Sequence, residues 1–298
     1  MSESIHFSVC PVCGSENLQK LFSVKDHTVS GESFVIMHCN DCSFRFTQDI
    51  PAADVIGKYY QSEDYVSHTD TAKGLINNLY HRVRKRTLRQ KRKLLQRSTG
   101  LGKGNLLDVG SGTGAFINEM KEQGWQTTGL EPDAGAREMA KKLYGIEMQE
   151  MDILFQLPQE SFDAITLWHV LEHVHDLHGY VAQLKLLLKE NGKLFVAVPN
   201  YTSGDAATYK EHWAAWDVPR HLWHFSTKAM QVLMQKQGLK IEQYKPMWFD
   251  SFYVSMLSRK YKHGKTNLVG SFWQGFLSNI KAWGNVQHCS SVIYIISK

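Results

Sequence analysis

Apolar and polar positions fall into alternating blocks along most of this chain. Leu106 to Val109 is a continuous apolar run, the pattern of a strand buried on both faces, and Ala115-Phe116-Ile117-Asn118-Glu119-Met120 beyond it takes up a helical period. The alternation then repeats. Trp125 to Leu130 reads as a second strand, Ala134 to Tyr144 as a helix stopped by Gly145, and Ile146 to Met151 as a third strand. Phe162 to Trp168 is the fourth, a helix surrounds Tyr180 to Lys189, and Lys193 to Val198 is the fifth. Strands that alternate with helices predict an α/β fold, a doubly wound parallel sheet with right-handed crossovers. Ligands of such sheets bind beyond the carboxyl ends of the strands. Asp108, Glu131, Asp152 and the pair Trp168-His169 all stand at such ends.

The flanks carry other patterns. Leu75 to Arg97 has a rough inner stripe of Leu79, Val83, Thr87, Leu94 and Leu95 and reads as a helix. Ahead of it, Lys58 to His68 is rich in tyrosine, and Tyr60 and Tyr65 are candidates for a lid over the ligand as well as for packing across a joint. Near the N-terminus, Leu21 to Val24 and Ser33 to His38 look like short strands. They lie between Cys10-Pro11-Val12-Cys13 and Cys39-Asn40-Asp41-Cys42. Two Cys-x-x-Cys knuckles one loop apart set four thiolates at the corners of a tetrahedron, the geometry Zn²⁺ takes. The segment has little core of its own, so metal binding would supply its folding energy, and a closed four-cysteine site leaves no open position for catalysis. The chain divides on this reading into a zinc ribbon over 1–50, a tyrosine-rich connector and basic helix over 51–104, and the alternating domain over 105–298.

Composition changes the picture in two places. The 298 residues are 43% hydrophobic, enough for a real core, and no apolar run approaches a membrane span or a secretory signal, so a cytoplasmic protein is expected. The net charge of +5 is local: nine basic residues and no acid lie between Arg82 and Arg97, more than the whole surplus. A solvated helix face explains them, and attraction of an anionic ligand or RNA is the functional alternative. No aromatics interleave for base stacking.

The turn Gly110-Ser111-Gly112-Thr113-Gly114 after the first strand makes a backbone cradle at a helix N-terminus. Gly110-x-Gly112-x-x-Ala115 formally meets the dinucleotide fingerprint, with Glu131 placed to hold ribose hydroxyls. Asp108 argues against a pyrophosphate. A carboxylate directly before the glycines suits a cationic ligand with an amino group, ribose and adenine but no phosphate.

With these residues in order, the chain resembles the class I S-adenosylmethionine-dependent methyltransferases. It is most similar to the branch whose fourth strand runs into His-x-Leu-Glu-His, here within Trp168-His169-Val170-Leu171-Glu172-His173-Val174. The resemblance implies a Rossmann-like seven-stranded sheet whose last strand is antiparallel, with Leu239 to Tyr244 and Ser291 to Ile296 as the closing pair. It implies that Gly110, Ser111, Gly112 and Gly114 wrap the methionine part of S-adenosylmethionine and that Asp108 holds its amine. Glu131, beside Pro132, would take the ribose hydroxyls. Asp152 and Ile153 would read the adenine, with Trp168 and His169 at the same site.

For the acceptor side, histidines crowd after the fourth strand and at Arg220-His221-Leu222-Trp223-His224. Any one of them is an ordinary hydrogen-bonded histidine by default. His173, and His221 or His224, are the candidates for a base that takes the proton of an attacking hydroxyl or carbon. No Asn/Asp-Pro-Pro-aromatic segment follows the fourth strand, and Cys289 adjoins the last strand, so amide-type N-methylation and covalent pyrimidine methylation are disfavoured. The expected reaction is O- or C-methylation of a small-molecule acceptor. An RNA methyltransferase with a ribbon for RNA, and a non-catalytic cofactor-binding subunit, are the rivals. Helical material between the last two strands offers a homodimer surface, a lipid-like pocket or a cap.

Overall fold

The computed structural model describes residues 4–61, 75–265 and 267–298. Its elements in chain order begin with β1 (Ser4–Ile5), β2 (Leu18–Lys25), β3 (Ser33–Cys39), β4 (Arg45–Thr47), β5 (Ile50–Pro51) and α1 (Leu75–Thr99). Then come β6 (Asn105–Val109), α2 (Ala115–Lys121), β7 (Gln126–Leu130), α3 (Ala134–Tyr144), β8 (Phe162–Trp168), α4 (Leu177–Leu187) and β9 (Leu188–Pro199). The chain closes with α5 (Gly204–Tyr209), β10 (Trp223–His224), α6 (Thr227–Lys236), β11 (Lys240–Pro246), α7 (Asp250–His263), α8 (Leu268–Trp283) and β12 (Ser291–Ser297).

The main sheet has the order β11-β12-β9-β8-β6-β7. β6 pairs parallel with both β7 and β8, and β12 runs antiparallel between β9 and β11. This is the doubly wound sheet with its reversed last strand, in six strands rather than seven among the described residues. Ile146 to Met151 does not form a strand. It contributes one parallel bridge, Leu130 to Gln149, before the chain tightens into a 3₁₀ turn over Met151–Phe155. The run offers few apolar side chains to the sheet, since its central residues Glu147, Met148, Gln149 and Glu150 alternate without a buried member.

The helices between strands are capped as their ends require. The Asp133 carboxylate accepts from the Ala136 N–H at 2.6 Å to start α3, which stops at Gly145 with φ 63°. Asp176 and Ser226 cap α4 and α6 in the same way. The strand order reverses at β6, so the crevice opens between the carboxyl ends of β6 and β8.

The N-terminal strands do not stand apart. β10, from the far end of the chain, pairs antiparallel with β4, so the ribbon sheet reads β10-β4-β3-β2. Phe44 and Phe46 are buried in one continuous core with Leu167, Leu184 and Phe225. Two of the crowded histidines are fasteners of this joint: His175 Nε2 lies 2.9 Å from the Pro51 carbonyl and His178 Nε2 2.9 Å from that of Pro11. The tryptophans Trp213, Trp216 and Trp223 are core, each 2% exposed.

α7 and α8 pack on each other and against α5. The outer face of α8 leaves Val269, Phe272, Trp273 and Trp283 exposed. Among the described residues, no helix is long and apolar enough to cross a membrane.

A single shared core predicts one cooperative unfolding transition for ribbon and sheet together. Trp223 meets Phe7 edge to face, lies tilted against Phe44, and donates from Nε1 to the Val174 carbonyl. Trp223→Ala should cost ~3–5 kcal/mol, the usual range for a large buried aromatic, and lower the single calorimetric transition. Two separate transitions in the wild-type protein would contradict the shared core.

Candidate active site

Strand register builds the centre of the site. Asp108 of β6 lies opposite Thr166 of β8, so the two side chains project side by side. The Thr166 hydroxyl donates to Asp108 Oδ1 at 2.5 Å. Asp108 is 1% exposed. Burial pushes its carboxyl up to about 6, against the pull of Thr166 and of the Lys91 ammonium.

Lys91 comes from α1. Its Nζ sits 4.1 Å from the centre of the Trp168 ring, a cation–π contact. Burial brings it down to about 8 even with Asp108 and Asp250 holding the charged form. Two further basic residues on the same helix face turn inward: Arg84 donates to Thr113 Oγ1 at 3.1 Å, and Arg92 pairs with Glu119 at 2.8 Å. Positions 84, 91 and 92 share one face at helical spacing. The basic run is thus two-sided, with Arg82, Lys85, Arg86 and Arg89 exposed outside. Sequence reasoning missed Lys91, because nothing in a run of nine cations marks the one that points inward.

The glycine turn takes three left-handed conformations, φ 71°, 53° and 76° at Gly110, Gly112 and Gly114. A Cβ on Gly114 would lie 2.9 Å from the Ala140 Cβ, so that glycine lets α2 close on α3. A Cβ on Gly112 would meet nothing within 4 Å, because it would point into the open cradle. The Gly112 N–H donates to Glu131 Oε2 at 2.7 Å, and the Asp133 N–H to Oε1 at 3.0 Å. Glu131 is 8% exposed, and burial raises its carboxyl while those two N–H groups draw it down. Ser111 turns its hydroxyl back onto the Asp108 carbonyl at 2.7 Å. The Pro132 carbonyl accepts from Arg137 at 2.9 Å. Asp152 is exposed and Ile153 half-buried on the 3₁₀ turn against β7.

His169 follows β8 with φ 61°. Its Nδ1 lies 3.2 Å from Glu172 Oε1 and its Nε2 2.9 Å from Asp250 Oδ2. Burial opposes the charge, but the two carboxylates win and carry the imidazole up to about 10. It is an imidazolium cross-link between two acids. Asp250, the first residue of α7, was not foreseen, since it lies 81 residues further along the chain.

His173 and His221 meet edge to face with ring centres 4.6 Å apart. His173 Nδ1 is 3.0 Å from both the Arg220 carbonyl and the Tyr60 hydroxyl. Burial, then His221, pushes His173 down to about 4, so its ring is neutral. Arg220 is held by Asp26 and Asp217 at 3.0 and 2.7 Å. Burial would raise Asp26, but the Arg220 and backbone hydrogen bonds hold it at about 2. His224 does not join the pair: its Nε2 is 3.1 Å from Thr47 Oγ1 and its ring packs on Trp216 at the ribbon joint. Tyr65 lies outside the described residues. A cavity of about 650 Å³ opens beside Lys91, lined also by Leu94, Met247, Trp248, Phe249 and Asp250.

The four cysteines converge. Cys10 Sγ lies 3.5 Å from Cys42 Sγ, and Cys13 Sγ 3.5 Å from Cys39 Sγ. No pair is bonded as a disulfide. The edge of a tetrahedron with 2.3 Å metal–sulfur bonds is about 3.8 Å, so the set fits a tetrahedral soft-metal centre. Gly14 and Ser43, each just past a knuckle, supply φ 80° and 61°.

These glycines separate two effects. Gly112→Ala should cost only ~1–2 kcal/mol of stability, the strain of a left-handed alanine, yet weaken nucleoside binding at least tenfold because its methyl enters the cradle. Gly114→Ala should lower the melting temperature more, through the Ala140 clash. Calorimetry on both variants checks the contrast.

The family described as a methyltransferase domain matches residues 80–244, more than half of the chain. A ubiquinone biosynthesis O-methyltransferase of Histophilus somni is 33% identical over 118 residues, which cover 36% of this chain and 50% of that protein. Another of the same description, from Sodalis glossinidius, is 34% identical over 116 residues, covering 36% and 46%. The chain spans about half the length of the curated relatives it matches. A solved structure described as a candidate sarcosine dimethylglycine methyltransferase, from Galdieria sulphuraria, shares the fold. Its TM-score is 0.51 at 13% identity, over 71% of this chain and 84% of that one. With that match lying over the cradle and both strands that build it, the chain belongs to the methyltransferase-domain family.

Proposed function

We propose that the protein transfers a methyl group from S-adenosylmethionine to a hydroxyl of a small organic acceptor. One observation carries this reading. At the switch point of a methyltransferase sheet, a buried carboxylate, an open left-handed glycine and a second carboxylate at the next strand end line one cradle. The cradle fits the donor. Asp108 offers buried negative charge to an ammonium, Glu131 offers a carboxylate to ribose hydroxyls, and the buried Trp168 Nε1 has no hydrogen-bond partner among the described residues. Gly110, Ser111, Gly114, Pro132, Asp152, Ile153 and His169 complete the proposed cofactor shell. When bound, the cofactor supplies an electrophilic sulfonium methyl.

The chain's own contribution is positioning and exclusion of water. α1 closes one side through Arg84, Lys91 and Arg92. His169 locks α7 against the end of β8. The cavity beside Lys91 has the size of a small-molecule site, and its Met247-Trp248-Phe249 wall suits an apolar acceptor body. His173 and His221, with Tyr60, are proposed to face the acceptor. The ubiquinone O-methyltransferase relatives support O-methylation. Transfer of a labelled methyl to hydroxylated aromatic acceptors, with an ether product by mass spectrometry, is expected. Transfer to RNA alone, or cofactor binding with no transfer to any acceptor, would overturn the reading.

The pH dependence follows from Asp108. Its carboxyl titrates near 6 in the folded protein, above the ordinary carboxylate range. Below that pH it takes up a proton and loses its attraction for the ammonium. Affinity for S-adenosylmethionine should hold above pH 6 and fall as pH drops through 6, by up to tenfold per unit. Calorimetric titrations from pH 5 to 8 check this.

We also propose Zn²⁺ at Cys10, Cys13, Cys39 and Cys42, as a structural ion. A chelator strong enough to remove it should lower the common melting transition, with zinc restoring it. An unchanged transition in demonstrably zinc-free protein would contradict the structural role.

A further inference from the structure

We propose that Glu172, His173 and His221 form a second metal site, distinct from the four cysteines, for a divalent first-row transition cation. One ligand atom from each of the three lies within 4.8 Å of the others. Two acidic and imidazole ligands come from a single 3₁₀ turn, Leu171–His173. The third is brought by the backbone: the Leu222 N–H donates to the Glu172 carbonyl at 2.8 Å, which sets His221 beside that turn.

The hydrogen bonds fix the tautomers. His221 Nδ1 is 2.9 Å from the Ala215 carbonyl, an acceptor only, so Nδ1 carries the proton and Nε2 presents a lone pair. His173 Nδ1 faces the Arg220 carbonyl at 3.0 Å, with the same consequence, and shares that proton with the Tyr60 oxygen. An imidazole that donates one N–H to a backbone carbonyl and turns the other nitrogen outward is the usual arrangement around a metal-ligating histidine.

The carboxylate supplies an independent sign. Glu172 is wholly buried. Its Oε1 accepts from His169, while Oε2 has no hydrogen-bond partner among the described residues. An unmatched buried carboxylate oxygen is costly, and a cation resolves it together with the two imidazole lone pairs. Asp217 stands near, 3.9 Å from His221 Nε2, but its oxygens already accept from Arg220 at 3.1 and 2.7 Å. Two histidines and one carboxylate leave coordination positions open. Use of those positions to hold an acceptor oxygen rests on the proposed methyl transfer; binding of the cation does not.

The test uses full-length, tag-free protein with the cysteine site filled by zinc. Co²⁺ is titrated by calorimetry and visible absorption. The expected result is one further equivalent of Co²⁺ without sulfur-to-cobalt charge-transfer absorption. His221→Ala and Glu172→Gln should each weaken that uptake at least tenfold, with zinc content unchanged. No Co²⁺ uptake by the wild-type protein, uptake accompanied by the thiolate band, or equal uptake by wild type and a folded variant would overturn the site. Because the readout needs no acceptor, a failed methyl-transfer assay leaves it standing.

Discussion

Charge buried at the carboxyl ends of the sheet must be matched, and most of the architecture around the crevice follows from that. Asp108, Glu131 and Glu172 stand within a few residues of three strand ends, each less than a tenth exposed. An isolated carboxylate in such a place costs far more than a fold of this size can spare. Each therefore draws in a partner from elsewhere. Lys91 and Thr166 answer Asp108, the Gly112 and Asp133 N–H groups answer Glu131, and the His169 imidazolium answers Glu172 and Asp250 together. The docking of α1 across the glycine turn and of α7 across β8 is a consequence of this pairing as much as of apolar contact. Among these three carboxylates the matching is incomplete at Glu172 Oε2, which has no hydrogen-bond partner among the described residues.

The same logic ties the N-terminal ribbon to the core. Arg220, 1% exposed, joins Asp26 of the ribbon hairpin to Asp217 and gives its own carbonyl to His173. Tyr59 and Tyr60 arrive with the ribbon side of the chain, the first accepting from Arg220 and the second contacting His173. The four-cysteine ribbon lies one buried arginine away from His173, on the proposed acceptor side of the site. The ion proposed there would act by holding a wall in place, a role that needs no open coordination position.

Much of this was legible in the sequence wherever the signal is local. The glycine turn, the two cysteine knuckles and the strand ends at Asp108, Glu131 and Trp168 are read from neighbours, and the structure places them where the spacing predicts. Long-range pairs were not legible. His169 meets Asp250 across 81 residues, and Arg220 meets Asp26 across 194. No local pattern encodes either contact. The nine-cation run concealed Lys91 because charge patterning reports a helix face on average and not which member turns inward. Ile146 to Met151 shows the opposite failure. Its place in the alternation predicts a strand, but with its central residues Glu147 to Glu150 left unburied it keeps only the bridge at Gln149. The crowded histidines were seen and divided among several tasks only by the fold: His175 and His178 fasten the ribbon, His224 packs beside Thr47, and His173 and His221 face each other.

The central claim is that the paired carboxylates of Asp108 and Glu131 mark the two ends of one nucleoside cradle. A crystal structure of the protein with S-adenosylhomocysteine tests it directly. The account predicts the ribose hydroxyls on Glu131, the Gly112 backbone against the ligand, and the ligand amine at Asp108. A nucleoside bound elsewhere, with the Glu131 to Gly112 and Thr166 to Asp108 hydrogen bonds both intact and no ligand atom at either carboxylate, would contradict it.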